Sequence, residues 1–405
     1  MPDRIFFYLL FLLFLPASFL TGQHDQSLVY GTVLLQNNER YRGQIRWEDE
    51  EALWDDIFNA PKTERARQEL FSAEHRRLIE QKKQGFSLDF MELWEDRGRE
   101  QASTLRCQIG DLQQIEILSN KRSRITFKDG SAVELFTERG GDFNDDIIIY
   151  DEGLGSLDLE WREIKKVIFQ PTPAGFRSEV GYPVYAQVLT TLGPMEGFLT
   201  WDSEECLGKD LISGYNKGVK IDIEFANIAG LVVQNEGSQI TLHSGRTLSL
   251  TNHDDVSDSN NGILVRLAGG RKVELPWSNF ISAEFRPPPA PAPAYGDFPP
   301  PHPIRGTVTT RQGKTYRGAL VYNLNLSLSN ELLRGENNGF IHYIPFAQIQ
   351  RIEPQNDQFA SFQLRDDSRL LLGNPRGNTG LLIRPKQREP VFIPWSDIKS
   401  IHIDD

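Results

Sequence analysis

Cysteine is nearly absent from this 405-residue chain: two thiols, Cys107 and Cys206, exclude a disulfide-dense scaffold and a cysteine-built zinc module. Histidine is sparse too. His24, His75, His243, His253, His302, His342 and His402 show no His-x-x-x-His or comparable ligand spacing. Basic residues fall short of acidic ones, 44 against 56, and the net charge of -12 argues against a nucleic-acid partner. No Gly-x-Ser-x-Gly elbow, P-loop or dinucleotide fingerprint occurs, so no cofactor is expected and no catalytic residue is nominated. What is present is globular in character, with 39% hydrophobic and 25% charged residues. At about 150 residues per domain the length predicts two to four domains.

Residues 1–22 read as a secretory signal peptide: Arg4, an apolar run from Ile5 to Leu15, then Pro16 and small residues. That run is shorter than the roughly 20 residues a spanning helix needs. Leu20 stands where a small residue is preferred for a cut after Gly22, so an uncleaved N-terminal anchor is the alternative. No later segment is apolar enough to cross a membrane. A secreted or periplasmic chain is expected, with no membrane span after signal removal. Cys107 and Cys206 could pair in that oxidising setting, although they sit in different repeats.

Self-similarity is the strongest feature. Gly31-Thr-Val-Leu-Leu…Tyr41-Arg-Gly-Gln-Ile-Arg-Trp47 recurs as Ala186-Gln-Val-Leu-Thr…Met195-Glu-Gly-Phe-Leu-Thr-Trp201 and as Gly306-Thr-Val-Thr-Thr…Tyr316-Arg-Gly-Ala-Leu-Val-Tyr322. Each is a pair of alternating strands joined by a polar turn. A second pattern begins at Ser123, Ser238 and Ala360 and closes on Trp161, Trp277 and Trp395, which stand 116 and 118 residues apart. The chain therefore divides into 25–170, 180–286 and 304–405, each holding two small units. Pro287 to Pro303 is proline-rich and reads as a semi-rigid extended linker that lets the third domain reach a second site.

The first copy is longer by 38 residues between Trp47 and Ile109. The excess falls near 60–99, where charges recur at three- and four-residue offsets. Pro61 suits a first helical turn and Gly85 a helix end, so a helical hairpin is predicted there.

Each unit has four or five short strands, glycines where a strand must bend and a tight apolar turn before the last strand, as in a small antiparallel barrel. Gly313-Lys-Thr-Tyr-Arg-Gly-Ala-Leu-Val-Tyr-Asn-Leu-Asn-Leu-Ser-Leu328 resembles the Sm-like/SH3-like barrel family, in which a Gly lets the second strand bend and an Asp or Asn opens the next turn. The tandem pattern also resembles uncharacterised secreted bacterial proteins with repeated Gly-x-Val…Tyr-x-Gly…Trp-Asp units. The likeness implies an all-β fold of about six tandem SH3-like barrels in three pairs, and brings no activity with it. Family members that bind RNA use an Asn in that turn. Here Asn323 and Asn325 occupy it in one copy, but Glu48, Asp49, Asp202 and Ser203 in the others.

Three acidic clusters invite a calcium reading: Glu48 to Asp56, Asp202 to Asp210, and Asp142 to Asp146 with its counterpart Asp254 to Asp258. None has the Asp-x-Asp-x-Asp-Gly order, and the third copy puts Asn, Ser, Glu331 or Arg376 there, so no metal is expected. Trp161, Trp277 and Trp395 read as core. Trp47, Trp201 and Tyr322, followed by polar residues, are candidates for an exposed surface that binds protein or glycan, with Asp56 and Asp210 beside them. Trp54 and Trp94 are candidates for a surface unique to the first domain. The sequence thus predicts a non-catalytic modular binding or structural protein of the bacterial cell envelope. An envelope hydrolase acting on polysaccharide and a calcium-stabilised adhesion module are the alternatives.

Overall fold

The computed structural model describes residues 25–47, 50–63, 104–136, 146–375, 377–386 and 389–404. The predicted signal peptide, Trp94, the acids from Asp142 to Asp145, and the predicted helical hairpin beyond residue 63 lie outside them. Every described element is a β-strand or a three-residue 3-10 turn, so the chain is all-β. No helix among the described residues is long and apolar enough to cross a membrane.

The described strands come in three sets of ten. The first comprises β1 (Tyr30–Leu35), β2 (Arg40–Trp47), β3 (Ile57–Pro61), β4 (Thr104–Gln108), β5 (Leu112–Ser119), β6 (Arg122–Phe127), β7 (Ala132–Phe136), β8 (Ile147–Asp151), β9 (Gly155–Leu159) and β10 (Ile164–Phe169). In the second are β11 (Tyr185–Thr190), β12 (Gly193–Thr200), β13 (Leu211–Asn216), β14 (Val219–Glu224), β15 (Ile228–Gln234), β16 (Gly237–Leu242), β17 (Thr247–Leu250), β18 (Ile263–Arg266), β19 (Lys272–Leu275) and β20 (Phe280–Phe285). The third holds β21 (Arg305–Thr310), β22 (Thr315–Tyr322), β23 (Leu332–Asn337), β24 (Phe340–Pro345), β25 (Ile349–Pro354), β26 (Phe359–Leu364), β27 (Arg369–Gly373), β28 (Gly380–Arg384), β29 (Val391–Pro394) and β30 (Ile398–Ile403).

The pairings are antiparallel and follow one scheme. In the first unit β1 pairs β2, β2 pairs β8, β8 pairs β9, and β10 returns to β1 after the 3-10 turn Trp161–Glu163. Between β2 and β8 the chain inserts a second cycle. Its members are the hairpin β3–β4, the 3-10 turn Ile109–Asp111 and the ladder β5–β6–β7, joined back to the hairpin by a bridge from Leu135 to Lys62. The β5–β10 pair fastens one cycle to the other. Equivalent pairs β12–β18, β11–β20 and β15–β20, then β22–β28, β21–β30 and β25–β30, repeat the arrangement.

This differs from barrels in tandem, which would close β1–β5 before β6–β10 began. Alternation of apolar residues marks each strand but is silent on its partner, and here β2 finds β8 about a hundred residues on. Glycine allows it. A Cβ on Gly43, Gly197 or Gly318 would stand 1.9, 2.1 or 2.2 Å from the carbonyl oxygen of Tyr150, Arg266 or Arg384 across that pairing.

Three further expectations are corrected. Pro61 ends a strand and starts no helix: Ile57–Pro61 alternates buried with half-buried residues, and a strand end tolerates proline as readily as a first helical turn. The β3–β4 register ends at Pro61 opposite Thr104, so the insertion lies between those two residues. It replaces the two-residue turns Lys217–Gly218 and Asn338–Gly339, whose four positive φ angles of 50, 84, 52 and 81° suit type I′ hairpins. Cys107 and Cys206 form no bridge with each other and are buried in different apolar clusters. Finally, the proline-rich segment is no free spacer. Phe298 is 7% exposed and belongs to the first unit's core, with Tyr295 packed against it.

Each unit has its own apolar core. Continuity between the second and third units comes from β19, which pairs β24 with Lys272, Val273 and Glu274 opposite Tyr343, His342 and Ile341.

Candidate functional site

The loops that follow β2, β12 and β22 end in an acid nine residues after Trp47, Trp201 or Tyr322, the aromatic at or just past the strand's end: Asp56, Asp210 and Glu331. One oxygen of each folds back on its own loop. Asp56 Oδ2 accepts from the backbone N–H groups of Ala52 and Leu53 at 2.7 and 2.6 Å. Asp210 Oδ2 accepts from Cys206 and Leu207 at 2.8 and 2.9 Å, and Glu331 Oε2 from Ser327 and Leu328 at 2.6 and 2.9 Å. The loop is thus held by a carboxylate where its backbone donors have no strand partner.

The other oxygen of each acid meets a cation from a different unit. Asp56 accepts from Arg266 of the second unit. Asp210 Oδ1 accepts from Nη1 of Arg46, from the first unit, at 2.8 Å, and here the loop-holding Oδ2 also accepts, from Arg46 Nη2 at 3.0 Å. Glu331, in the third unit, accepts from Lys62 Nζ of the first at 2.6 Å, and Lys62 also donates to the Asn325 carbonyl at 3.0 Å. The first and second units exchange these pairs reciprocally. Between them Leu28, Ala52 and Leu53 pack on Cys206 and Leu207, loop against equivalent loop.

Behind Asp56 lies a wholly buried polar group. Asp55 Oδ1 stands 3.5 Å from Arg266 Nε, and Arg266 Nη2 also donates to Thr200 Oγ1 at 2.6 Å. Burial works against the Arg266 charge, but Asp56 and Asp55 outweigh it and hold its pKa above the usual range. Burial likewise pushes the Asp55 carboxyl up, partly offset by Arg266. Lys272 donates to Gln108 Oε1 at 2.5 Å, and burial lowers its pKa to about 8. Asp111, accepting from the Gln108 N–H at 2.9 Å, is pushed up to about 7 by burial. Residues from both the first and second units therefore share one desolvated network.

The predicted contact aromatics are all inside. Trp54 and Trp201 are 0% exposed, Trp47 2% and Tyr322 3%, so the described ones offer no aromatic surface. Each completes a core. Trp201 Nε1 donates to the Asp255 carbonyl at 2.8 Å while its ring meets Trp277 and Phe280 edge-on. Tyr322 lies against Phe346 and Trp395. Trp47 packs on Phe169. Polar residues after these aromatics start the loop whose own acid pulls it inward, which is why a polar flank misled the reading. Sequence reasoning nominated Asp56 and Asp210 but missed Glu331, Arg46, Lys62 and Arg266; the constant nine-residue spacing from aromatic to acid was the available signal.

Trp54 has a further task as the floor on which Tyr295 rests, with ring centroids 4.5 Å apart. Lys128 Nζ donates to the carbonyls of Tyr295 and Phe298 at 2.5 and 2.9 Å and sits 3.6 Å above the Tyr295 ring. The Tyr295 hydroxyl donates to the Leu112 carbonyl at 2.8 Å.

A second acidic group belongs to the second unit alone. Burial, then Asp255, pushes Glu205 up to about 9, and burial raises Asp202 to about 6. The Asp202 carboxylate accepts from the Asn261 N–H, and that of Asp255 from the Ser213 N–H at 2.6 Å. Among the described residues no three carboxylate, thiol or imidazole groups converge as a metal site. Comparison with protein families, with curated proteins and with solved structures finds no match.

Proposed function

We propose that this chain is a non-catalytic binding or structural protein of the bacterial cell envelope, secreted or periplasmic, that presents its surface as one rigid three-unit body. The observation that carries this reading is the use of the three loop acids. Asp56, Asp210 and Glu331 each hold their own loop and one cation of another unit, a geometry suited to fixing orientation. Protein or glycan is the partner class, since a net charge of -12 disfavours polyanions.

Each ten-stranded unit is proposed to be two small SH3-like barrels, one inserted into the other. Support comes from the two five-strand cycles, each carrying a 3-10 turn that leads directly into a strand: Ile109–Asp111 into β5 and Trp161–Glu163 into β10 in the first unit. A helical hairpin is proposed within the insertion beyond residue 63.

Cell fractionation and capture test the function together. The tagged full chain is expected in the envelope or periplasmic fraction, and the immobilised chain is expected to retain a defined envelope protein or glycan without altering it. Recovery from the cytosol alone, or depolymerisation of envelope polysaccharide by the pure chain, would overturn the proposal.

A further inference from the structure

In each unit the ninth strand pairs the eighth along one edge and has a second edge facing away. Leu159 stands opposite Ile147, Leu275 opposite Ile263 and Ile393 opposite Leu381, and each is followed two residues later by Trp161, Trp277 or Trp395. Ser156, Lys272 and Pro390 are therefore one position in the repeat. Leu157, Val273 and Val391 are the next, and Asp158, Glu274 and Phe392 the one after.

The three outer edges differ in what meets them. In the second unit β19 accepts β24, and Val273 at the middle of that pairing is 3% exposed. The two-residue turn Asn338–Gly339 commits Phe340 and His342 to hydrogen bonds with β23, which leaves Ile341 and Tyr343 to bond Glu274 and Lys272. In the third unit the outward N–H groups are missing, because Pro390 and Pro394 stand at the positions of Ser156 and Glu160. Neither condition holds in the first. There β9 ends its sheet, no described strand pairs with its outer edge, and Gly155–Leu159 contains no proline. Leu157, the counterpart of Val273, is only half-buried against the first unit's core, and Leu154 in the adjoining turn is 67% exposed.

We propose that β9 is a dimerisation edge, at which two copies of this chain pair antiparallel across a two-fold axis and join their eight-stranded sheets. The strand is complementary to itself in one register. By the equivalence with β19, Ser156 and Asp158 turn their backbone groups outward. A pairing centred on Leu157 overlaps the strand along its whole length, Gly155 opposite Leu159. It sets the exposed Ser156 of each copy opposite the exposed Asp158 of the other, a hydroxyl that donates to a carboxylate, and Leu157 against Leu157. Centring on Asp158 would oppose two carboxylates. Beyond the strand, Arg162, 72% exposed beside Glu160, approaches the second copy's Glu152. Five residues a side make a small contact, so the dimer is weak, in the micromolar range. It goes beyond the binding reading and does not depend on what the chain binds.

Sedimentation velocity of the full chain across the micromolar range is the test, with a monomer–dimer equilibrium expected. Ser156→Asp sets acid against acid twice and should weaken the dimer about tenfold, whereas Ser156→Lys sets base against acid twice and should strengthen it about tenfold. Ser156 is exposed, so both variants should keep the circular dichroism of the unmodified chain. Register is read by Leu157→Cys. At the centre of the two-fold pair the Cα atoms stand about 4.5 Å apart, so mild oxidation should link two copies through this residue. Leu192→Cys, at a position 60% exposed in the second unit, is the control for random collision and should link far more slowly. A chain that stays monomeric throughout, or a dimer that both Ser156 substitutions leave unchanged, overturns the proposal. Cross-linking through position 192 as fast as through 157 overturns it too.

Discussion

Replacing Arg266 by Met removes the cation shared by Asp56 and Asp55 while keeping most of the side chain's packing stem. Asp56 keeps two backbone donors, from Ala52 and Leu53. Asp55 keeps little: Arg266 is the largest favourable influence on a carboxylate that burial already disfavours. Removing one partner of a buried pair costs about 3–5 kcal/mol, because the orphaned charge cannot reach water. Arg122→Met provides the control. Its pair with Glu134 has similar geometry at 2.6 Å, but the arginine side chain is 46% exposed, so about 0.2–1 kcal/mol is expected. Urea unfolding followed by circular dichroism at pH 7 measures both. Asp56→Asn in both backgrounds closes a cycle whose coupling should be about 1–3 kcal/mol. An Arg266→Met cost no larger than that of Arg122→Met would refute the claim that this contact fixes the units.

Further outcomes follow from other contacts. Burial holds Asp111 near 7 against an ordinary 3.8, so the folded chain keeps a proton that the unfolded chain releases. Its contribution is full below about pH 4 and is lost as pH rises through about 7, on the order of 4 kcal/mol; Asp111→Asn should flatten that slope between about pH 4 and 7 in urea titrations. Phe298→Ala should cost about 3–5 kcal/mol and open residues 287–303 to limited proteolysis, whereas an unaltered digestion pattern would contradict a docked segment. Native Cys107 and Cys206 should react with a thiol reagent only after unfolding, since both are buried and burial raises the Cys206 pKa; prompt labelling of two thiols in buffer would contradict their placement.

Strands were legible in the sequence because half-buried strands alternate, as in Ala360-Ser-Phe-Gln-Leu364, and because the Tyr-x-Gly and Trp blocks recur at near-constant spacing. Their partners were not legible. Gly43 marks a close approach, yet nothing local says that the approaching strand is β8, beyond an insertion of whole strands. Site residues divided along the same line. Asp56 and Asp210 stood out as acids beside aromatics, but their cations Arg266 and Arg46 lie 210 and 164 residues away. Polar residues after Trp47 and Trp201 suggested exposure because polarity usually marks solvent; here both indoles are buried. Pro287 to Pro303 read as spacer from composition, while its two aromatics, Tyr295 and Phe298, carried the docking energy.

Arg266–Asp56, Arg46–Asp210 and Lys62–Glu331 tie three separately cored units into one body. Differential scanning calorimetry tests it most directly. The unmodified chain should show a single transition, with calorimetric and van't Hoff enthalpies equal, and at least two transitions should appear once Arg266 and Arg46 are both Met. Separate transitions already present in the unmodified chain, or one transition retained in the double variant, would contradict it.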